Sequence, residues 1–227
     1  MSFDLIGLDA DDTLWHSEDM FHEIEARYVE LLAPYVADGV DVREALRATE
    51  QLHLPISGYG VKAFTLSMVE CAITVTQGTV PSAVVGDVLA LGMGMLTEPV
   101  RLLDGVPEVL DDLGRDHRLV LITKGDLVHQ TRKLEQSGVA HHFGHIDIVM
   151  EKDEATYRRI LGDLGVEPER FCMIGNSVRS DVLPVLAIGG SAIHVEYDVT
   201  WAHEVVEHDG SIVSAATLRD VPALIRP

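Results

Sequence analysis

Three carboxylates crowd the end of one short apolar run. Phe3-Asp4-Leu5-Ile6-Gly7-Leu8 leads directly into Asp9-Ala10-Asp11-Asp12-Thr13-Leu14. Like charges that close together repel unless protons or a cation compensate. Asp9, Asp11 and Asp12 therefore mark a place suited to Mg2+ and to phosphate chemistry. The same residues would also suit an Asp-rich turn that caps the following helix.

A strand that is apolar on nearly every residue is buried on both faces, as in a parallel sheet covered by helices. The carboxyl ends of such strands are where α/β proteins hold ligands. Three later apolar runs end in the same way. Leu119-Val120-Leu121-Ile122 meets Thr123-Lys124-Gly125-Asp126, and Ile146-Asp147-Ile148-Val149 leads to Glu151-Lys152-Asp153. Phe171-Cys172-Met173-Ile174 runs into Gly175-Asn176-Ser177-Val178-Arg179-Ser180-Asp181. In a parallel sheet all these ends face one side, so groups far apart in sequence converge. Each group alone has an ordinary explanation: Thr123 as a helix cap, Lys152 as a solvated lysine, Asp181 as a helix-start acid. Their joint occurrence, in order, beside the Asp9 cluster favours a common site.

The elements that would position these groups follow from periodicity. Residues 17–96 are helix-patterned: 18–33 spaces Phe21, Ile24, Tyr28, Leu31 and Leu32 at helical intervals, and 63–76 and 81–91 read as further helices. Residues 55–60 read as a loop between helices. From Arg118 the rhythm alternates, adding strands over 192–195 and 211–213 to the three above. Helices are expected over 106–113, 126–137, 155–164 and 181–187. The expected architecture is α/β: a doubly wound parallel sheet built from residues 1–16 and 97–227, interrupted after its first strand by a helical insertion over 17–96.

Composition narrows the partners. A chain of 227 residues with 47% hydrophobic content can bury a full core. Seventeen basic residues against thirty-seven acidic ones leave a net charge of −20, which repels nucleic acid polymers and anionic membranes. The same field would repel a phosphate substrate, so local positive charge must come from a metal ion and selected lysines. No apolar run is long enough to cross a bilayer, and the start lacks a basic signal region. Cys71 and Cys172 have no metal-like spacing, and a cytoplasmic setting is expected. His141, His142 and His203 lack ligand spacing too. His16 reads as a structural histidine, and Met68, Met93 and Met95 read as core filler.

These segments, taken in order, resemble the motifs of the haloacid dehalogenase-like (HAD) hydrolase superfamily. Asp9-Ala10-Asp11-Asp12-Thr13 matches the first, Thr123 the second, Lys152 the third, and Gly175-Asn176 with Asp181 the fourth. The insertion resembles the α-helical cap of subfamily I. Two positions depart from the pattern: Asp12 stands where many members have Gly, and Asn176 where an Asp commonly binds metal. An amide oxygen can ligate Mg2+ but brings no charge, so weaker affinity or a larger share for Asp181 is expected.

The resemblance implies a HAD-like Rossmannoid core and a Mg2+-dependent phosphatase acting on a small phosphorylated metabolite through an aspartyl-phosphate. In that scheme Asp9 attacks phosphorus, and Asp11 protonates the leaving oxygen and then deprotonates water. A proton-trading Asp11 should have a raised pKa. Thr123, Lys124 and Lys152 would hold the phosphate. Asp9, Asp181, Asn176 and the Asp11 backbone carbonyl would hold Mg2+. Dehalogenases and phosphonatases of the superfamily generally lack an acid at the position of Asp11, so its presence favours phosphate esters. The cap would select the leaving group, with Tyr59 or Lys62 as contacts, and the protein would be a monomer or homodimer. A phosphomutase of the same superfamily, and a catalytically weak phosphate-binding or signalling protein, are the alternatives.

Overall fold

The computed structural model describes residues 3–197 and 212–225. In chain order the elements are β1 (Leu5–Leu8), α1 (Glu18–Leu32), α2 (Val42–Ser57), α3 (Val61–Val75) and α4 (Ser82–Thr97), then α5 (Val106–Leu113) and β2 (Arg118–Lys124). There follow α6 (Leu127–Ser137), β3 (His145–Val149), α7 (Glu154–Leu164), β4 (Phe171–Gly175), α8 (Leu183–Ala187), β5 (Ser191–Val195), β6 (Val213–Ala215) and α9 (Val221–Ile225). The strand expected over 211–213 begins outside the described residues, as does His203. Among the described residues, contacts divide the chain into two compact units. One comprises Met1–Glu18, Val100–Lys124 and Gln130–Pro227; the other comprises Asp19–Pro99 and Gly125–His129.

The first unit is a parallel sheet in the order β3-β2-β1-β4-β5-β6. Strand alternation sends successive side chains to opposite faces, and both faces are filled. Ile6, Leu8, Leu119, Leu121, Cys172, Ile174, Ile193 and Val195 pack with Val106, Val109 and Leu110 of α5, Leu134 of α6 and Val221 of α9. Leu5, Val120, Ile122, Phe171, Met173 and Ala192 pack with Tyr157, Ile160 and Leu161 of α7 and Val185 of α8. Helices on both faces explain why the inner strands read as continuous apolar runs: β1, β4 and most of β2 are buried, while the edge strands β3 and β6 stay partly exposed.

The second unit packs α1 to α4 around Ile24, Tyr28, Leu32, Leu46, Phe64, Met68, Val84, Val88 and Met95. The Tyr28 hydroxyl, buried among them, donates to the Met68 carbonyl at 2.8 Å. Residues 55–57, expected in a loop, instead form the last turn of α2. Pro55 there removes a single ladder bond close to the helix end, where the cost is small. The helix closes with the Gly58 N–H on the Leu54 carbonyl at 3.1 Å. Helix α4 runs six residues past its expected end at 91, and Met93 on it is 60% exposed rather than core. Lys62 pairs with Asp126 through both carboxylate oxygens at 3.0 Å. Among the described residues no helix is long and apolar enough to cross a membrane.

Strand β1 sits beside β4 so closely that its glycine is required. A Cβ on Gly7 would lie 2.6 Å from the Phe171 ring and 2.8 Å from the Met173 sulfur. Gly7→Ala is therefore expected to destabilise the protein by about 1–3 kcal/mol through overpacking. Denaturant unfolding of the two proteins measures this, and an unchanged midpoint would show that the β1–β4 contact is loose.

Candidate active site

The sheet order reverses between β1 and β4. From β1 the chain builds outward through β2 and β3, then returns to lay β4 on the other side of β1. Crossovers leave the reversal point on opposite faces and open a crevice beyond the strand ends. Asp9 follows β1 at that point and Asn176 follows β4. The Asp9 N–H continues the ladder onto the Ile174 carbonyl at 2.9 Å. Thr13 ties the two tips together: its hydroxyl donates to Asp9 Oδ2 at 3.1 Å and accepts from the Asn176 N–H at 3.1 Å. Asn176 Oδ1 lies 3.3 Å from the same hydroxyl.

Asp181 reaches the crevice from a π-helical turn, Val178–Val182. Such turns insert one extra residue per turn and recur at functional sites. The Ser177 N–H donates to Asp181 Oδ2 at 3.0 Å, and the Ser177 hydroxyl caps the turn by accepting from the Ser180 N–H. The carboxylate lies against the backbone of Gly175, where a Cβ would come within 2.2 Å of Oδ2. Any larger residue at 175 would displace Asp181.

Lys152 closes the arrangement. It lies between β3 and α7, whose start is capped by Asp153 accepting from the Thr156 N–H at 2.8 Å. Lys152 is 3% exposed. Its ammonium donates to Asp9 Oδ1 and, at 2.7 Å, to Asp181 Oδ1. The Tyr157 hydroxyl fixes α7 to the π turn through the Ser180 carbonyl at 2.9 Å. One cation thus serves two buried carboxylates. Burial pushes the Asp9 carboxyl up to about 7; Lys152 pulls it down and Asp181 pushes it up again. Burial also opposes the Lys152 charge, but Asp181 and Asp9 outweigh it and raise its pKa.

Asp11 departs from expectation. Its side chain is 33% exposed and gripped by three donors. Trp15 Nε1 donates to Oδ1 at 2.6 Å, the Lys133 ammonium to the same oxygen, and Gln130 Nε2 to Oδ2 at 2.9 Å. Burial works against the charge, yet Lys133, Gln130 and Trp15 together hold the Asp11 carboxyl below its ordinary value. The raised pKa expected at Asp11 is found instead at Asp9 and Asp12. Burial and the nearby Asp11 push Asp12 up to about 6, against the pull of two backbone N–H groups.

Asp12 fulfils the capping alternative. Its carboxylate accepts from the Ser17 and Glu18 N–H groups at 2.8 and 3.2 Å, at the start of α1. Its φ of 59° lies in the left-handed region. That geometry favours Gly, and the short Asp side chain is among the few others that tolerate it.

Thr123 and Lys124 lie on the same side. The Thr123 hydroxyl, on a 2%-exposed residue, accepts from Gln130 Nε2 at 2.9 Å. Lys124 donates to the Ser180 hydroxyl at 2.8 Å and stands 3.5 Å from Glu151. Direct bonds unite Asp9, Lys152 and Asp181, and Thr13 adds Asn176. Asp11, Thr123 and Lys124 are linked through Gln130. Thr13, Trp15, Gln130, Lys133 and Ser180 were not anticipated in these roles. Gln130 and Lys133 left a signal, because they occupy the inward face of α6 beside Leu134, where apolar residues are the norm. His16, at the margin, pairs with Tyr197 at 2.8 Å, as suits a structural histidine.

The donor chemistry suits a hard cation: two carboxylates and an amide oxygen, all oxygen, with more negative charge than Lys152 cancels. Among the described residues no group of three or more His, Cys, Asp or Glu side chains is arranged to hold a metal ion. A cation here would thus depend on two carboxylates and neutral oxygens, the weaker set that Asn176 implies.

The sequence model of the haloacid dehalogenase-like hydrolases matches residues 3–189. A haloacid dehalogenase-like family hydrolase from Xanthomonas campestris superposes with a TM-score of 0.87 at 40% identity, over 99% of this chain and 91% of that one. A HAD hydrolase of Bacillus subtilis, solved with magnesium bound, shares the fold with a TM-score of 0.66 at 13% identity, over the whole of both chains. Among curated proteins, the glyceraldehyde 3-phosphate phosphatase of Methanothermobacter thermautotrophicus is 30% identical over 138 residues. That match spans 54% of this chain and 60% of the phosphatase.

The raised carboxyls set a pH dependence. Between about pH 4 and 7 the folded protein retains protons on Asp9 and Asp12 that the unfolded chain has released. Stability therefore falls as pH rises through that window. Without added metal, Tm is expected to drop by roughly 5–10 °C from pH 5 to 7.5, and Asp9→Asn should flatten the slope. A parent protein whose Tm is level or rises over this range would contradict the assignment.

Proposed function

The chain belongs to the haloacid dehalogenase-like hydrolase family, and from that premise we propose that it is a phosphatase releasing inorganic phosphate from a small phosphomonoester. One observation carries the proposal: a buried carboxylate, Asp9, held by a shared ammonium, with a second carboxylate two residues on at Asp11. The first suits attack on phosphorus, and the second suits proton exchange with the leaving oxygen and with water. Similarity to a phosphatase of a small phosphorylated metabolite supports the substrate class. Two buried free thiols, Cys71 and Cys172, accord with a cytoplasmic setting.

In the proposed sequence an Asp9 oxygen bonds to phosphorus as the bond to the leaving oxygen breaks, and that oxygen takes a proton from Asp11. Water then attacks the phosphorus of the aspartyl-phosphate and gives its proton to Asp11. Asp9 returns as a carboxylate. The net change is ester plus water to alcohol plus phosphate. As the structure stands, Asp11 accepts from Lys133 and Trp15 at Oδ1 and from Gln130 alone at Oδ2, so Oδ2 keeps a lone pair that can carry the transferred proton while the three donors stay in place. Lys152 holds Asp9 in place and offsets its repulsion toward phosphate. The Thr123 hydroxyl, directed at the Lys124 carbonyl at 3.3 Å, is free to turn to a phosphoryl oxygen, and Lys124 adds a positive charge beside it. Mg2+, held by Asp9, Asp181, Asn176 and the Asp11 carbonyl, would supply the remaining neutralisation.

A panel of phosphate esters assayed with and without Mg2+ tests the proposal. Inorganic phosphate is the expected product, falling at least a thousandfold in Asp9→Asn, on the order of the loss of a covalent nucleophile. Phosphate release by Asp9→Asn at the parent rate would refute the nucleophile, and an isomeric ester as product would identify a mutase. Asn176→Asp should tighten Mg2+ binding by about tenfold, the added charge being worth about 1.4 kcal/mol; binding unchanged or weaker would remove Asn176 from the ligand set.

A further inference from the structure

Gln130 and Lys133 stand one turn apart on α6, and both turn inward to the same carboxylate. Lys133 donates to Asp11 Oδ1 and lies over the Trp15 ring at 5.6 Å from its centroid. Trp15 donates to that same oxygen. Gln130 Nε2 faces three acceptors: Asp11 Oδ2 at 2.9 Å, Thr123 Oγ1 at 2.9 Å and the Lys124 carbonyl at 2.8 Å. An NH2 group has two hydrogens, so the three share them. The other end of the amide, Oε1, is buried with no hydrogen-bond partner, which among the described residues is true of no other side-chain oxygen or nitrogen outside the exposed surface.

Turning the amide over would not relieve this, because Oε1 would then face the Asp11 carboxylate and the Lys124 carbonyl. The amide is thus held with its donors inward at a cost in stability, and a buried group left unsatisfied in a native fold calls for a reason. Packing alone gives none, since Leu or Met would fill the space without an orphaned oxygen.

We propose that Gln130 and Lys133 are positioning residues for the reaction: they hold the Asp11 carboxyl at a fixed place relative to Thr123, so that the acid meets the leaving oxygen while the hydroxyl meets the phosphoryl group. Gln130 spans the two functions by bonding both. Lys133 and Trp15 fix the opposite oxygen, so the carboxyl cannot rotate. The inference rests on the phosphatase reading of the same site.

The test compares two esters that differ in their need for a proton. Glycerol 3-phosphate has a poor alkoxide leaving group, whereas p-nitrophenyl phosphate has a good one that departs with little help. Gln130→Met and Lys133→Met are expected to lower kcat/KM for glycerol 3-phosphate at least tenfold more than for p-nitrophenyl phosphate. The effect should fall on kcat more than KM, and Lys133→Arg should recover part of the discrimination. A variant that loses its cooperative thermal transition is set aside for the other, which carries the same test. Equal losses on both esters would mean a merely structural role, and no loss would mean none; either overturns the inference while leaving the phosphatase reading intact. If the parent releases phosphate from neither ester nor from the wider panel, the phosphatase reading falls and this inference with it.

Discussion

Lys152 sets one positive charge between two buried carboxylates, Asp9 and Asp181, and the rest of the sheet's carboxyl end is arranged around that trio. Taking such charges out of water costs several kcal/mol per ion, and their attraction repays it only with good geometry and further hydrogen bonds. Those bonds are present. Thr13 serves Asp9, and the Ser177 N–H serves Asp181. The trio still carries one negative charge too many, which is why burial pushes Asp9 toward a proton. A site in this state suits the cation and the phosphoryl group of the proposed reaction.

The backbone pays attention to the same trio. The reversal of strand order between β1 and β4 puts Asp9 and Asn176 on adjacent tips. Gly175 lets the π turn press Asp181 against the chain. Asp12 takes a left-handed conformation and caps α1, freeing Asp9 and Asp11 from that task. Asp11 belongs to a separate group of Trp15, Gln130 and Lys133. Two neighbouring carboxylates are thus driven in opposite directions, Asp9 up by burial and Asp11 down by its donors.

Much of this was legible in the residues. Continuous apolar strands ending in Asp9, Thr123, Lys152 and Asp181 implied a parallel sheet with converging tips, and the sheet is parallel, with its central strands covered on both faces. What could not be read was orientation within the site. The pKa order of Asp9 and Asp11 depends on Lys133, which is distant in sequence and sits on a helix rather than a strand tip. A clue was nevertheless present: the chain has only four lysines, Lys62, Lys124, Lys133 and Lys152. Three of them contact the site's carboxylates or its π turn. In the helical unit, Pro55 and Gly58 suggested a loop through 55–60, but a proline in a last turn does not end a helix early. Met93 shows that an apolar residue on a helix need not face the core.

In the proposed reaction, Asp9 is under-compensated by Lys152 alone and becomes a working carboxylate when a divalent cation binds. Calorimetric titration with Mg2+ near pH 7, in two buffers of different ionisation enthalpy, counts the protons released on binding. Saturable binding with release of a fraction of a proton, abolished in Asp9→Asn, is the predicted result. Binding that releases no proton, or that Asp9→Asn leaves unchanged, would contradict it.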